Sequence, residues 1–156
     1  MDDFSHYDEK GNSRMVDVSG KPVTLRTAIA ACTVSMAPGT VRMITQNLLP
    51  KGNPFEVARV AGIMAAKRTP ELIPMCHPLA ADYIGVDFLI VSDTEIEIRS
   101  EIRLQGRTGA EMEALTAASV AALALYDMCK AVDKAIQIDR LRLIEKTGGK
   151  SDFSRS

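Results

Sequence analysis

Residues 114–125, ALTAASVAALAL, run for twelve positions without a charge, between Glu111-Met112-Glu113 and Asp127-Met128-Cys129-Lys130. Alanine and leucine favour helix, and neither Gly nor Pro interrupts from Ala110 to Lys134. The uncharged core is shorter than the ~20 residues a bilayer span needs, so the pattern predicts a helix buried in protein. A helix apolar on all sides needs cover on all sides. A sheet is expected on one side and another subunit on the other, which brings functional groups to a subunit interface.

The ionisable ends sharpen this expectation. Glu113 and Asp127 are fourteen residues apart, which returns them to nearly one helix face but separates them by about 21 Å along the axis. One small ligand does not span that distance. Either the two ends serve different sites, or two chains supply opposite ends of one site, as a two-fold interface permits. Asp127 and Lys130, at i and i+3, share a neighbourhood suited to proton transfer. The plain alternative is a solvated helix-end ion pair worth about 0.3–0.5 kcal/mol.

Outward from the helix, Gln137 to Lys146 predicts a strand with a bulge or turn at Asp139-Arg140. Upstream, Asp82 to Val91 and Glu95 to Leu104 alternate and are joined by Ser92-Asp93-Thr94, which predicts a hairpin with Ile96, Ile98, Ile102 and Leu104 on one face. Pro70, Pro74 and Pro78 forbid a long helix, and His77, preceding Pro78, is held extended. Asn53-Pro54-x-Glu56 reads as N-cap, first-turn proline and third-position glutamate of a helix running to about Lys67. A shorter helix is expected from Thr40 to Gln46, a long strand from Thr24 to Met36, and a short strand at Met15-Val16-Asp17-Val18. The order gives an α+β, ferredoxin-like βαββαβ fold with an extra helix in the first crossover, its antiparallel sheet covered by helices. Residues 1–14 read as a flexible tail, 15–147 as one catalytic domain, and 148–156 as a glycine-rich loop and C-terminal tail.

Composition narrows the function classes. Among 156 residues the net charge is −1, aromatics make up 4% and Trp is absent, so the basic face and stacking aromatics of a general nucleic-acid binder are missing. An RNA-binding sheet would also want an aromatic pair within an RNP-like motif in its strands, and no such motif is found. The acidic start MDDFSHYDEKG has no apolar run, so no signal peptide is read and a cytoplasmic location is expected, with no membrane partner. Cys32, Cys76 and Cys129 are scattered in apolar contexts and fit reduced thiols. Two histidines, His6 and His77, make no histidine-rich metal site.

Gly149-Lys150-Ser151 suggests a P-loop, but the first glycine of that motif would fall on Ile144 and no helix follows. The loop is equally suited to wrapping phosphates or to being a mobile tail. Cys76-His77 suggests a thiol hydrolase, a weak reading because neighbours in an extended segment point to opposite faces. Arg26, Lys51, Lys67-Arg68, Arg107, Lys130, Lys146 and Lys150 fall at element ends or on one strand face, where a polyanion would gather them. Lys51, between Pro50 and Gly52 just ahead of a helix start, is the most suggestive.

Together, Met15-Val16-Asp17-Val18, Pro50-Lys51-Gly52, Ala65-Ala66-Lys67-Arg68-Thr69, Ile73 to Leu79, Glu111-Met112-Glu113 through Val132, and Gly148-Gly149-Lys150-Ser151 resemble the cyclic pyranopterin monophosphate synthase family of molybdenum cofactor biosynthesis. The likeness spans nearly the whole chain. It implies conversion of 3',8-cyclo-7,8-dihydroguanosine triphosphate, made upstream by a radical GTP cyclase, to cyclic pyranopterin monophosphate and diphosphate. It further implies ferredoxin-like subunits assembled as hexamers, trimers of dimers with the active site at the dimer interface; no cofactor is expected, and the residue types argue against a tightly held metal. By position, Asp127 matches the acid/base residue, with Lys130 and Lys51 as proton-transfer or phosphate-stabilising partners. Met75, Cys76 and His77 match one substrate-binding segment, and Met112 and Glu113 the other. Glu111 and Glu113 would accept hydrogen bonds from the ring edge, and Arg26, Lys67, His77, Lys146 and Lys150 would hold phosphates. The departures are Pro70 and Glu71, in a variable spot, and Asp152 where a glycine often follows the loop. A competing reading is a non-catalytic nucleotide-binding regulator on the same scaffold.

Overall fold

A computed structural model describes residues 5–156, so residues 1–4 of the expected tail lie outside the described residues. Strand β1 (Thr24–Ser35) pairs antiparallel with β3 (Glu95–Gly106) on one side and β4 (Gln137–Thr147) on the other, and β2 (Tyr83–Ile90) pairs with β3. The sheet order is β2-β3-β1-β4-β5, where β5 is the two-residue Phe153–Ser154. This is the ferredoxin-like arrangement that the order of elements predicts. In β3, Ile96, Ile98, Ile102 and Leu104 are buried on one face as the alternation requires, and Ser100 joins them. The bulge expected near Asp139-Arg140 is present, with Arg140 at φ 53° and a register shift opposite Cys32.

Helices α1 (Pro38–Thr45), α2 (Pro54–Lys67) and the one-turn α3 (Thr69–Leu72) fill the first crossover, and α4 (Glu111–Cys129) fills the second. The Asn53 side chain accepts from the Phe55 amide at 3.0 Å, as the N-cap motif predicts. The turn of helix at α3 is not among the predicted elements. Pro70 sits in its first turn, where a missing N–H costs nothing.

Small side chains bring α4 against its neighbours. Ala114, Ala117, Ala118, Ala121 and Ala122 are fully buried, and the sheet reaches the helix backbone itself: Ser100 Oγ donates to the Ala114 carbonyl at 2.6 Å and Cys32 Sγ to that of Ala118 at 3.5 Å. The second face of α4 is covered by α2 of the same chain, where the sequence reading expects another subunit. At the crossing, a Cβ on Gly62 would lie 2.9 Å from the Ala117 carbonyl and 3.2 Å from Ala121 Cβ. What stays uncovered is a narrow stripe that includes Leu123, 59% exposed.

Met15-Val16-Asp17-Val18 is not a strand. Val16 and Val18 are half-buried and Met15 and Asp17 exposed, so the alternation is real, but the segment lies across the protein as an irregular strap. Its Val16 carbonyl accepts from His77 Nε2 at 2.6 Å in place of a strand partner.

In an ordinary helix interior, replacing glycine by alanine stabilises by up to about 1 kcal/mol. At Gly62 overpacking dominates, and Gly62→Ala is expected to destabilise by about 1–3 kcal/mol. Urea unfolding checks this, since a higher midpoint would mean that α2 and α4 are not in this close contact.

Candidate active site

α2 and α4 run antiparallel, so each end of the pair gathers its own residues. At the C-terminal end of α4, Asp127 Oδ1 lies 2.7 Å from Lys130 Nζ, and Asp127 Oδ2 lies 3.6 Å from Lys51 Nζ. Lys51 also donates to the Asp127 carbonyl at 3.2 Å. Gly52, at φ 93°, turns the chain between Lys51 and α2, so the ammonium reaches back to the end of α4. All three side chains are about half exposed. The Lys130 hydrogen bond, followed by the charges of Lys130 and Lys51, holds the Asp127 carboxyl below its ordinary value, and Asp127 in turn raises Lys130. The trio is an anchored carboxylate flanked by two ammonium groups.

The N-terminal end of α4 is different. Met75, Cys76 and His77 face Glu111, Met112 and Glu113 across a cleft of about 260 Å³ that is also lined by His6, Val16, Val18, Lys21, Thr108 and Gly109. A carbonyl only accepts, so the bond to Val16 requires a proton on His77 Nε2, and Nδ1 is the nitrogen left to accept when the ring is neutral. Glu113 is 5% exposed. Burial, reinforced by the charge of Glu111, raises its pKa despite the hydrogen bond from its own amide. Burial and the two glutamates also raise the Cys76 thiol, which is the reverse of what a thiol nucleophile needs. Glu111 itself forms an ion pair with Lys146 of β4.

A second cleft of about 320 Å³ adjoins the first through a shared lining residue, Lys21, and is otherwise lined by Pro22, Thr24, Arg26, Gly148, Gly149 and Lys150. Arg26 is buried, its Nε and Nη2 donating to the Gly106 and Arg107 carbonyls, so part of its role is to tie β1 to the end of β3. Its Nη1 lies 3.0 Å from where a Cβ of Gly149 would stand. Gly148, at φ 90°, has its missing Cβ 1.9 Å from the Leu25 carbonyl, so no other residue fits there. The two clefts together reach the roughly 300–1,000 Å³ of sites that enclose small molecules.

Of the residues singled out in the sequence, Met75, Cys76, His77, Glu111, Met112 and Glu113 converge on the first cleft, and Arg26 and Lys150 on the second. Lys146 joins the first group through Glu111. Lys67 is exposed at the last residue of α2, the end nearer that group. Lys51, Asp127 and Lys130 form the separate cluster, about 21 Å along α4. Within one chain the two sets do not meet. Lys21 and Thr108 escape the sequence reading. Yet Lys21 stands between Gly20 and Pro22 much as Lys51 stands between Pro50 and Gly52, and Thr108 precedes a helix start.

With this geometry in view, the comparisons with known proteins are decisive. A family model described as the MoaC family matches residues 15–149. The chain belongs to the MoaC family. Among its relatives, the protein named cyclic pyranopterin monophosphate synthase of Desulfatibacillum aliphaticivorans is 57% identical over 152 residues, covering 97% of this chain and 96% of that one. Proteins of the same name from Pelotomaculum thermopropionicum, 55% identical with 97% and 89% covered, and Roseiflexus sp. strain RS-1, 52% identical with 98% of each covered, agree. The MoaC match takes in the lining of both clefts apart from His6 and Lys150, and the whole of the Lys51–Asp127–Lys130 cluster.

Two carboxyl groups in opposed environments suit acid/base work: Asp127 is held charged, and Glu113 is biased towards carrying its proton. For Glu113 the raised folded pKa means that the folded state holds the proton more tightly than the unfolded chain. Its cost to stability is therefore absent at low pH and grows as pH rises through the folded value, which lies above 4.5. Glu113→Gln is expected to raise Tm at neutral pH and to leave it unchanged near about pH 4. Thermal melts across that range check the prediction, and a lower Tm at neutral pH would contradict it.

Proposed function

We propose that this chain is a cyclic pyranopterin monophosphate synthase of molybdenum cofactor biosynthesis, acting on 3',8-cyclo-7,8-dihydroguanosine triphosphate and releasing diphosphate. The reading rests on its MoaC membership together with the Lys51–Asp127–Lys130 cluster. The reaction rebuilds a purine-derived ring and closes a cyclic phosphate. Closure requires a sugar hydroxyl oxygen to attack the α-phosphorus while the bond from that phosphorus to the α–β bridging oxygen breaks. The hydroxyl proton goes to a base, and the leaving diphosphate takes the electron pair of the broken bond.

Asp127 is the proton acceptor and donor in this scheme. Lys130 and Lys51 relay protons and stabilise the charge that develops on the leaving group. Met75, Cys76, His77, Met112 and Glu113 hold the substrate, with Glu111 and Glu113 accepting from the ring edge. Arg26, Lys67, Lys146 and Lys150, joined by Lys21, receive the phosphates. Because Lys146 is already paired with Glu111, that pair responds to substrate as a unit.

The separation of the two groups along α4 supports an assembly in which one chain's Asp127 cluster completes the cleft of another. We place this in a hexamer, a trimer of dimers with the active site at the dimer interface. The catalytic domain is residues 15–147, the enzyme acts in the cytoplasm after the radical GTP cyclase, and neither nucleic acid nor membrane is a partner. A non-catalytic regulator is not favoured, since the relatives in hand carry an enzyme's name.

Incubating the purified chain with the cyclised intermediate is expected to yield cyclic pyranopterin monophosphate and diphosphate, and binding without turnover would defeat the proposal. Asp127→Asn and Lys51→Ala are expected to assemble like wild type and to lose at least about a hundredfold in kcat, the range of one positioned proton-transfer group. Near-native turnover in either variant would remove that residue from the chemistry.

A further inference from the structure

The strap leading into β1 supplies part of the lining of the first cleft. Val16, Val18 and Lys21 line it, and so does His6, which no role has yet absorbed. The segment carrying His6 is ordered by polar bonds rather than by burial. The Asp8 carboxylate accepts from the Lys10 amide at 2.9 Å, the Asn12 amide at 2.8 Å and Asn12 Nδ2 at 3.0 Å, closing a turn that contains Gly11 at φ 79°. Across this turn Tyr7 and Ser13 form an antiparallel bridge, and the Arg14 amide donates to the His6 carbonyl at 2.8 Å. Tyr7 and Met15 are about half exposed.

The strap is pinned at two further points, each by a residue of the cleft or its rim. His77 Nε2 donates to the Val16 carbonyl, and Arg107 Nε donates to the Lys21 carbonyl at 3.2 Å. The chain that follows the hairpin is thus fixed at the cleft, and it sets where the hairpin begins. Glu111 and Glu113 line the same cleft, and their carboxyl oxygens suit hydrogen bonds from ring N–H groups. His6 and Lys21 put donors on the strap side, and Lys21 continues into the second cleft with Arg26 and Lys150. A ligand with its ring against the glutamates therefore turns its sugar and phosphate oxygens towards the strap.

We propose that the N-terminal hairpin, residues 6–14, is part of the substrate site, and that His6 is a further substrate-binding residue whose imidazole hydrogen-bonds an oxygen of the sugar-phosphate portion. This rests on the function proposed above. Asp8, which does not line the cleft, is the positioning residue that holds His6 in place through the turn.

The test uses the full chain with His6→Ala, His6→Gln and Asp8→Ala, measuring kcat, KM for the cyclised intermediate, and Tm. One lost hydrogen bond to a charged ligand corresponds to roughly a tenfold change. His6→Ala is expected to raise KM about tenfold with a smaller effect on kcat and no change in Tm. His6→Gln, which keeps a donor, is expected to recover most of the loss, and Asp8→Ala to resemble His6→Ala. Wild-type KM in His6→Ala would overturn the binding role, and wild-type KM in Asp8→Ala would overturn the positioning role. Should the wild-type chain itself fail to turn over, the function is what fails, and the strap is then read from Kd for GTP. A weaker Kd in His6→Ala supports the hairpin as a binding wall, and an equal Kd overturns it.

Discussion

The contact of α2 with α4 through Gly62, Ala117 and Ala121 is the constraint on which the rest of this molecule depends. It holds two helices antiparallel at a separation that larger side chains would not allow, and in doing so fixes which residues meet at each end. One end receives Lys51, from the loop entering α2, beside Asp127 and Lys130. The other receives the segment after α2, with Met75 to His77 opposite Glu111 to Glu113. The helix acts as a spacer of about 21 Å between a charged cluster and a cleft. A site that needs both sets requires a second chain.

The electrostatics at the two ends differ in kind. Asp127 sits in water between two ammonium groups, which favour its charged form. Glu113 is buried beside a second carboxylate, which disfavours its charged form. A buried carboxyl without a cation of its own is costly to a fold, and such costs concentrate where a ligand will later supply the partner. The ion pair of Glu111 with Lys146 shows the contrast within the same cleft, where a neighbouring carboxylate already has its cation.

Much of the fold was legible because its signals are local. The alternation of Ile96, Ile98, Ile102 and Leu104, the Asn53 cap and the break at Asp139-Arg140 each depend on neighbours within a few residues, and each appears where the pattern puts it. What escaped was set at long range. α1 starts at Pro38, two residues earlier than read, and its entry is tied from almost a hundred residues away by the Asp133 carboxylate, which accepts from the Ala37 amide at 2.9 Å and Thr40 Oγ1 at 3.0 Å. Met15 to Val18 has the alternation of a strand, yet its Val16 carbonyl is taken by His77 and its Val16 and Val18 side chains by the cleft. Lys21 belongs to both clefts only because Arg107 and the strap bring it there. For the candidate site, residue types and family likeness singled out residues that gather at the two ends of α4, and their division between those ends was visible from the fourteen-residue spacing of Glu113 and Asp127.

Subunit complementation shows whether one chain's Asp127 completes another chain's His77 cleft, as proposed. Asp127→Asn and His77→Ala chains, each inactive alone, are unfolded together and reassembled. Random pairing makes about half the dimers mixed, and each mixed dimer holds one doubly altered and one intact site, so activity returns to about a quarter of wild type. If mixed dimers form and activity stays at the level of the separate variants, each chain carries its own complete site and the claim is wrong.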